Sequence, residues 1–348
     1  MASWATAVAQ DEKFGAMSDS VFPSGPTVPL GKTDSWSLPI FLLTTLSVII
    51  PVAALLLFGN SYHVLVAMNL IATLLLTLSL NLVVGNLGLL SFAHAVFFGA
   101  SAYVCAILSR YHGINPWLCL PAAMFVVAIM GFLLSAPLAR LRGIFFAVAS
   151  LAFASFFEVF VREATPLTQG GNGISGIPFL TFFGIELRGG TMLVLHGLVL
   201  LLVLILLVNI SKSSLGRELS AVRDNESAAS ACGISVAKTR LLTFILSALI
   251  AAVAGWLFTF THRVVVTEIM SLERSFFWFF TVLIGGPGSI VGVSLGTIIL
   301  LLVPSFLNFA TSQQVLLSGV LMLAVVLFAP KGISGITDSL CNHFRSRT

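Results

Sequence analysis

The sequence predicts an all-α polytopic membrane protein with about ten transmembrane helices. Three observations carry that prediction. Only 9% of the 348 residues are charged and 58% are hydrophobic, where a soluble domain carries ~25% charged residues. Mean hydropathy is +1.07. No Asp, Glu, Lys or Arg occurs between Ser37 and Leu108, a stretch that would cross a hydrocarbon layer of ~30 Å about three times. A surface so poor in charge cannot be kept in water, which excludes a soluble enzyme, a secreted disulfide scaffold and a nucleic-acid binder.

Residues 1–37 are polar and rich in Ser, Pro and Gly, with Asp11, Glu12, Lys13, Asp19, Lys32 and Asp34. A signal peptide starts basic and then runs apolar. This segment does neither and reads as a flexible cytoplasmic tail. Apolar runs follow at 38–58, 64–84, 87–108, 116–138, 144–164, 191–210, 241–262, 275–287, 289–307 and 314–330. Most have the ~20 residues a crossing helix needs. The eighth and ninth are short and meet at Gly285-Gly286-Pro287-Gly288, where a single broken or re-entrant element is an alternative. Residues 38–330 therefore read as the transmembrane domain and 331–348 as a cytoplasmic C-terminal tail.

Orientation follows from the 211–240 loop, the longest polar stretch between spans, with Lys212, Arg217, Arg223, Lys238 and Arg240. Cytoplasmic loops collect Lys and Arg, so this loop faces the cytoplasm. With ten spans, both termini and the 139–143 turn (Arg140, Arg142) fall on the same side. Twelve of the 17 basic residues then lie inside, and five (Arg110, Arg162, Arg188, Arg263, Arg274) lie outside. The net charge of +4 is thus a topological bias. The 166–190 loop faces outside, and its many glycines, Gly170, Gly171, Gly173, Gly176, Gly184, Gly189 and Gly190, suit tight turns.

Several chemistries are absent. Cys105, Cys119, Cys232 and Cys341 form no C-x-x-C pair and have no metal-ligand spacing. Gly31-Lys32-Thr33 resembles the end of a phosphate loop, but Gly25 lies one residue too early and Pro26 and Pro29 interrupt the N–H run. The chain has no ATP site and no cofactor of its own. Gly173-Ile174-Ser175-Gly176 reads G-x-S-G, which intramembrane serine proteases also show, yet it lies in a glycine-rich external loop and reads as a turn. Ionisable residues within spans are few. Glu158 and Arg162 stand four apart, in the favourable order for a helical pair, and read as an anchor. His94 and His196 read as hydrogen-bonded packing residues, and Asn69 and Asn81 as bonds between helices. These residues do not compose an ion pathway.

Within the inside loop, Asp224 or Asn225 can cap a short helix that Gly233 closes. The alanine-rich product, with Ala228, Ala229 and Ala231, suits docking into a groove on a soluble protein, or merely connects two spans. The stretch Gly216-Arg217-Glu218-Leu219-Ser220-Ala221-Val222-Arg223-Asp224-Asn225-Glu226-Ser227-Ala228-Ala229, continuing to Gly233-Ile234, resembles the coupling segment of ABC importer permeases of the branched-chain amino acid type. Three further blocks resemble the same family in the same order. They run from Gly85 through Gly88, Ser91 and His94 to Tyr103, from Arg140 to Phe153, and from Gly170 to Pro178. Gly285-Gly286-Pro287-Gly288-Ser289 and Pro330-Lys331-Gly332 complete the pattern, which covers roughly 64–334. Two departures stand out: Ser155 occupies a position that is often Glu in the family, and Gln169 one that is commonly Gly.

The resemblance implies the permease fold of an ABC importer in a bacterial inner membrane, with both termini cytoplasmic. It implies a homologous second permease, two ATPase subunits carrying ATP and Mg, and a periplasmic or extracellular substrate-binding protein. Around them lies membrane lipid, with no nucleic acid involved. Coupling to the ATPases falls on Gly216, Arg217, Glu218, Ala221, Arg223, Asp224, Asn225, Glu226, Ala228, Ala229 and Gly233. Gly85, Gly88, Ser91, His94, Gly285, Gly286 and Gly288 are expected to serve helix packing or gating. The alternative is a self-sufficient ion-coupled secondary transporter built on Glu158.

Overall fold

The computed structural model describes residues 61–138, 144–182 and 184–306, with Gly319 and Leu323. In chain order its helices are α1 (Ser61–Asn81), α2 (His94–Tyr111), α3 (Pro116–Leu138), α4 (Ile144–Glu163), the single turn α5 (Thr165–Thr168) and α6 (Gly190–Lys212). They continue with α7 (Ser214–Asp224), α8 (Glu226–Ala231), α9 (Val236–His262), α10 (Leu272–Gly285) and α11 (Ile290–Phe306). A π-helical turn, Leu82–Asn86, extends α1.

α1 is apolar around its whole circumference, as a helix enclosed by other helices must be. Its most apolar stretch is 72% buried and that of α9 61%, against 28–39% for α3, α4 and α6. Thus α1 and α9 form the centre, and α3, α4 and α6 turn Phe125, Phe132, Phe145, Phe156, Val194 and Leu198 outward. In water such a surface would aggregate; in a bilayer it is the lipid face.

Small residues set the tightest contact. Ala248, Ala251, Ala252 and Ala254 of α9 are fully buried, and a Cβ added at Gly255 would overlap the Phe98 carbonyl of α2. Backbones brought this close exchange polar contacts. The Ser101 hydroxyl donates to the Ala252 carbonyl at 2.6 Å and that of Thr259 to Ala102 at 3.3 Å. The Trp256 indole N–H reaches the Pro116 carbonyl at 3.0 Å, tying α9 to α3.

The expected count of about ten spans is met in part among the described residues. Five helices there are long and apolar enough to cross a membrane: α1 with its π turn, α3, α4, α6 and α9. The expected spans 38–58 and 314–330 lie outside the described residues. The expected 87–108 span is also shorter, because helix begins only at His94. Residues 87–93 fold back instead: the Leu89 N–H caps the Val83 carbonyl at 3.2 Å, and the Phe92 N–H donates to the Ser150 hydroxyl at 3.1 Å. α10 has 14 residues, about 21 Å at 1.5 Å per residue, which is less than the hydrocarbon thickness. It breaks from α11 at Gly286, where the short-run alternative had been expected.

At one end of α6 lies the 166–190 loop. Its strand β1 (Ile174–Ser175) pairs antiparallel with β4 (Val264–Val265), while β2 (Thr181–Phe182) and β3 (Ile185–Glu186) form a hairpin. Ser175 is therefore part of a small sheet. Gln169 has φ +59, a left-handed conformation that glycine adopts with less strain. Here its side-chain amide donates to the Tyr111 hydroxyl at 2.6 Å.

At this end Glu158 accepts from Arg162 at 2.9 Å, and its other oxygen accepts the Leu272 N–H at 3.3 Å, the first amide of α10. One carboxylate oxygen thus pairs within α4 and the other joins α4 to the first amide of α10, an anchoring geometry. His196 lies between the Met192 carbonyl at 2.9 Å and the Thr261 hydroxyl at 3.1 Å.

Candidate functional site

At the opposite end of α6 the 211–240 loop is built as two capped helices. Ser213 caps α7 by accepting the Gly216 N–H at 3.4 Å. Gly216, Leu219 and Val222 recur every third residue and are buried, which seats α7 lengthwise on the bundle. A Cβ at Gly216 would overlap the Ile210 and Ser211 carbonyls, so only glycine permits the bend from α6 into α7.

Asn225 caps α8, its Oδ1 accepting the Ala228 N–H at 3.0 Å. Gly233, at φ +85, closes the helix. Its N–H donates to Ser230 and that of Ile234 to Ala229, each at 3.0 Å, the paired bonds of a Schellman ending. A six-residue helix would not persist alone. Accordingly Asn225→Ala is expected to remove ~1 kcal/mol of local stability, read as faster amide exchange over 226–232 with the transmembrane helices unaffected.

Two polar contacts fasten this pair to the start of α9. The Thr239 hydroxyl donates to Glu218 at 2.9 Å. Arg240, whose side chain is 5% exposed, forms an ion pair with Glu226. Glu218 and Glu226 therefore face their own chain. What faces outward is Arg217, Asp224, Asn225, Ser227, Ala228, Ser230, Ala231, Cys232 and Gly233. Ala221 is half-buried and Ala229 buried. The outward face of α8 carries small side chains, Ser227, Ala228, Ser230 and Ala231, and is backed by the contacts to α9.

Arg223 also turns inward. Its guanidinium donates to the carbonyl of Gly85, 138 residues away. Burial pushes its pKa below the ordinary arginine value, while neighbouring Asp224 acts in the opposite direction. Its carbon stem crosses Gly88, where an added Cβ would stand 3.2 Å from Arg223 Cγ. Its Nη1 passes Gly288, where an added Cβ would stand 3.1 Å away. Gly88 and Gly288 adopt φ +76 and +90, a region open to glycine.

The same place joins α1 to the α10–α11 turn. Asn81 Oδ1 accepts the Gly288 N–H at 2.8 Å, as the interhelical reading expected. Gly85 packs directly on the Gly288 backbone, and Gly285 on Val293 and Gly292 of α11. Higher in the interface, Thr77 and Thr297 hydroxyls meet at 2.9 Å.

The structure thus unites residues that the sequence separated. Gly85, Gly88 and Gly288 form one junction with Arg223 of the loop, and Gly286 lies in the turn that carries Gly288. Ser91 and His94 belong elsewhere: His94 bonds Ser91 at 3.3 Å and Ser247 of α9 at 3.2 Å, a packing role. Sequence reasoning missed Ser213, Thr239 and Arg240 as the fasteners of the loop. A serine three residues before Gly216 was the available signal for the first.

A family model described as "Branched-chain amino acid transport system / permease component" matches residues 62–329. The high-affinity branched-chain amino acid transport system permease protein LivM of Salmonella typhimurium is 33% identical over 288 residues, 76% of this chain and 68% of the relative. LivM of Escherichia coli shows the same identity and coverage. The probable branched-chain amino acid transport permease protein LivH of Methanocaldococcus jannaschii is 29% identical over 290 residues, 77% of this chain and 89% of the relative. No solved structure matches the chain.

Proposed function

Because this chain belongs to the branched-chain amino acid transport permease family, a family of multi-pass membrane proteins, we propose that it is the permease subunit of an ATP-driven importer in a bacterial inner membrane. It translocates branched-chain amino acids or related small polar solutes by alternating access. It pairs with a homologous permease, receives substrate from a soluble binding protein outside, and takes its energy from two ATPase subunits that carry ATP and Mg. The 211–240 loop and both termini face the cytoplasm on this reading, which the basic-residue bias supports.

One observation carries the proposal. The loop is stapled to the bundle on its inner face, yet exposes the small side chains of Ser227, Ala228, Ser230 and Ala231. A solvated linker has no need of a cap, a Schellman ending and a buried ion pair. A surface that receives a mechanical push does, because a frayed helix would absorb the push. Relatives of both LivM and LivH type match this chain, which supports a two-permease assembly.

The test is reconstitution with ATPase subunits, second permease and binding protein. ATP hydrolysis should rise when the binding protein carries its amino acid, and uptake should require ATP. Ala228→Trp, which crowds the outward face without touching the core, should abolish co-purification of the ATPase subunits. Uptake by this chain alone in vesicles, driven by an ion gradient without ATP, would sink the proposal. Glu158, the carboxylate that rival would use, is paired with Arg162 within α4 and accepts the first amide of α10, which favours an anchoring role.

A further inference from the structure

We infer that Arg223 is a positioning residue for transport: it latches the 211–240 loop to the junction of α1 and the α10–α11 turn, so that loop and helices move as one. The inference rests on the loop being the ATPase dock and concerns what lies behind that dock.

The geometry is specific to one long cationic side chain. Arg223 stands in the last turn of α7, one residue before the exposed Asp224 and two before the cap of α8. A displacement of the outward face therefore reaches it through a short, hydrogen-bonded backbone. Its carbon stem fills the groove over Gly88, and its guanidinium passes Gly288 to reach the Gly85 carbonyl. That carbonyl lies in the final π turn, where helical backbone acceptors outnumber helical donors and the helix dipole is negative. A cation is the matching partner.

The path of Arg223 is kept open by Gly85 and Gly88 at the end of α1 and by Gly288 from the remote α10–α11 turn. A side chain at Gly88 or Gly288 would occupy the path of Arg223, and one at Gly85 would wedge α1 from the turn. The Asn81 to Gly288 bond at 2.8 Å holds α1 to the turn without Arg223. Losing Arg223 thus leaves α1 and the turn joined to each other and removes the loop's link to that junction, while Glu218 and Glu226 still hold the loop to α9. The three pieces then no longer share one motion: the ATPases drive the loop and α9 while the junction of α1 and the α10–α11 turn lags.

The experiment uses the assembled transporter in lipid vesicles, with uptake and ATP hydrolysis measured together. Amide exchange over 82–90 and 284–290 is followed in the same complex. Arg223→Ala should retain the ATPase subunits, lower uptake per ATP about tenfold, and speed exchange in both turns. Arg223→Lys keeps one donor for the Gly85 carbonyl and should recover most of the coupling and protection. A wild-type uptake-to-ATP ratio in Arg223→Ala overturns the latch. So does loss of the ATPase subunits from that variant, which would make Arg223 a direct contact, and so does unchanged exchange over 82–90. If Arg223→Ala does not fold in the membrane, Arg223→Lys decides: a loss of uptake as complete as that of the Ala228→Trp dock variant overturns the latch. Failure of the importer reading would appear separately, as uptake without ATP in the wild type, while the exchange comparison would still report the contact.

Discussion

Gly85→Val is expected to abolish uptake and to lower the unfolding stability of the permease by about 3 kcal/mol. Even the first carbon of a side chain at this position would overlap the Gly288 backbone and Asn81 Oδ1. Overpacking of a filled contact costs ~1–3 kcal/mol, and the displaced Asn81–Gly288 hydrogen bond adds ~1 kcal/mol. The neighbours cannot yield cheaply, because one is backbone and the other is already bonded to it. The functional loss should exceed the loss of stability, since separating α1 from the α10–α11 turn also moves the carbonyl that Arg223 holds. Thermal unfolding in detergent and vesicle uptake check the two parts. Gly197→Ala is the control: it lies in α6 with no heavy atom within 4 Å of an added Cβ. There the change should be neutral or stabilising by up to ~1 kcal/mol. Wild-type uptake by a Gly85→Val variant would remove the junction from the mechanism.

The second large effect is expected at Glu226. Arg240 is 5% exposed at the side chain and Glu226 27%, so Glu226→Ala strips a nearly buried guanidinium of that carboxylate. Breaking one half of a buried pair costs ~3–5 kcal/mol. The partial exposure of Glu226 lowers this to about 2–3 kcal/mol, because water screens that side. The loss falls on the attachment of α8 to α9, so ATPase subunits should be lost on purification although the transmembrane helices remain folded. Glu226→Ala with Arg240→Leu should regain most of the stability, since a well-packed apolar pair replaces a buried ion pair at little cost. If the single variant holds the ATPase subunits as firmly as wild type, the ion pair does not support the dock.

Much of the helical frame is legible in the sequence, for a simple reason. The runs 116–138, 144–164 and 191–210 end at charges, prolines or glycines, and the structure bounds α3, α4 and α6 within two residues of those limits. Hydropathy reads such ends because a charge cannot continue into hydrocarbon. It fails at 87–93, where Leu87, Leu89, Leu90 and Phe92 are apolar enough for a span but fold as a turn. Backbone direction leaves no trace in hydropathy; Gly88 was its sole marker.

The loop caps were legible because they are local: Asn225 and Gly233 act within eight residues of each other. The inward aim of Arg223, Glu218 and Glu226 was not. A charge in a polar loop has the same letter whether it meets solvent, a partner protein or a distant carbonyl. Only the fold sets Gly85 and Gly288 beneath Arg223. The family resemblance marked all of these positions but grouped them by chain order, which split one junction into two lists of residues.

The π turn at the end of α1 has a consequence that can be put as an angle. An α-helix advances about 100° per residue, and a π turn takes in one residue more than an α turn to close its bond. The Leu82–Asn86 turn therefore acts as a phase shift between the membrane-embedded part of α1 and its tip. Without that added residue, the Gly85 carbonyl would point about 100° away from the side on which the loop lies. The buried face of α1 and the aim of its last carbonyls are thus set independently: the core can keep its register while the tip is turned toward the surface that moves.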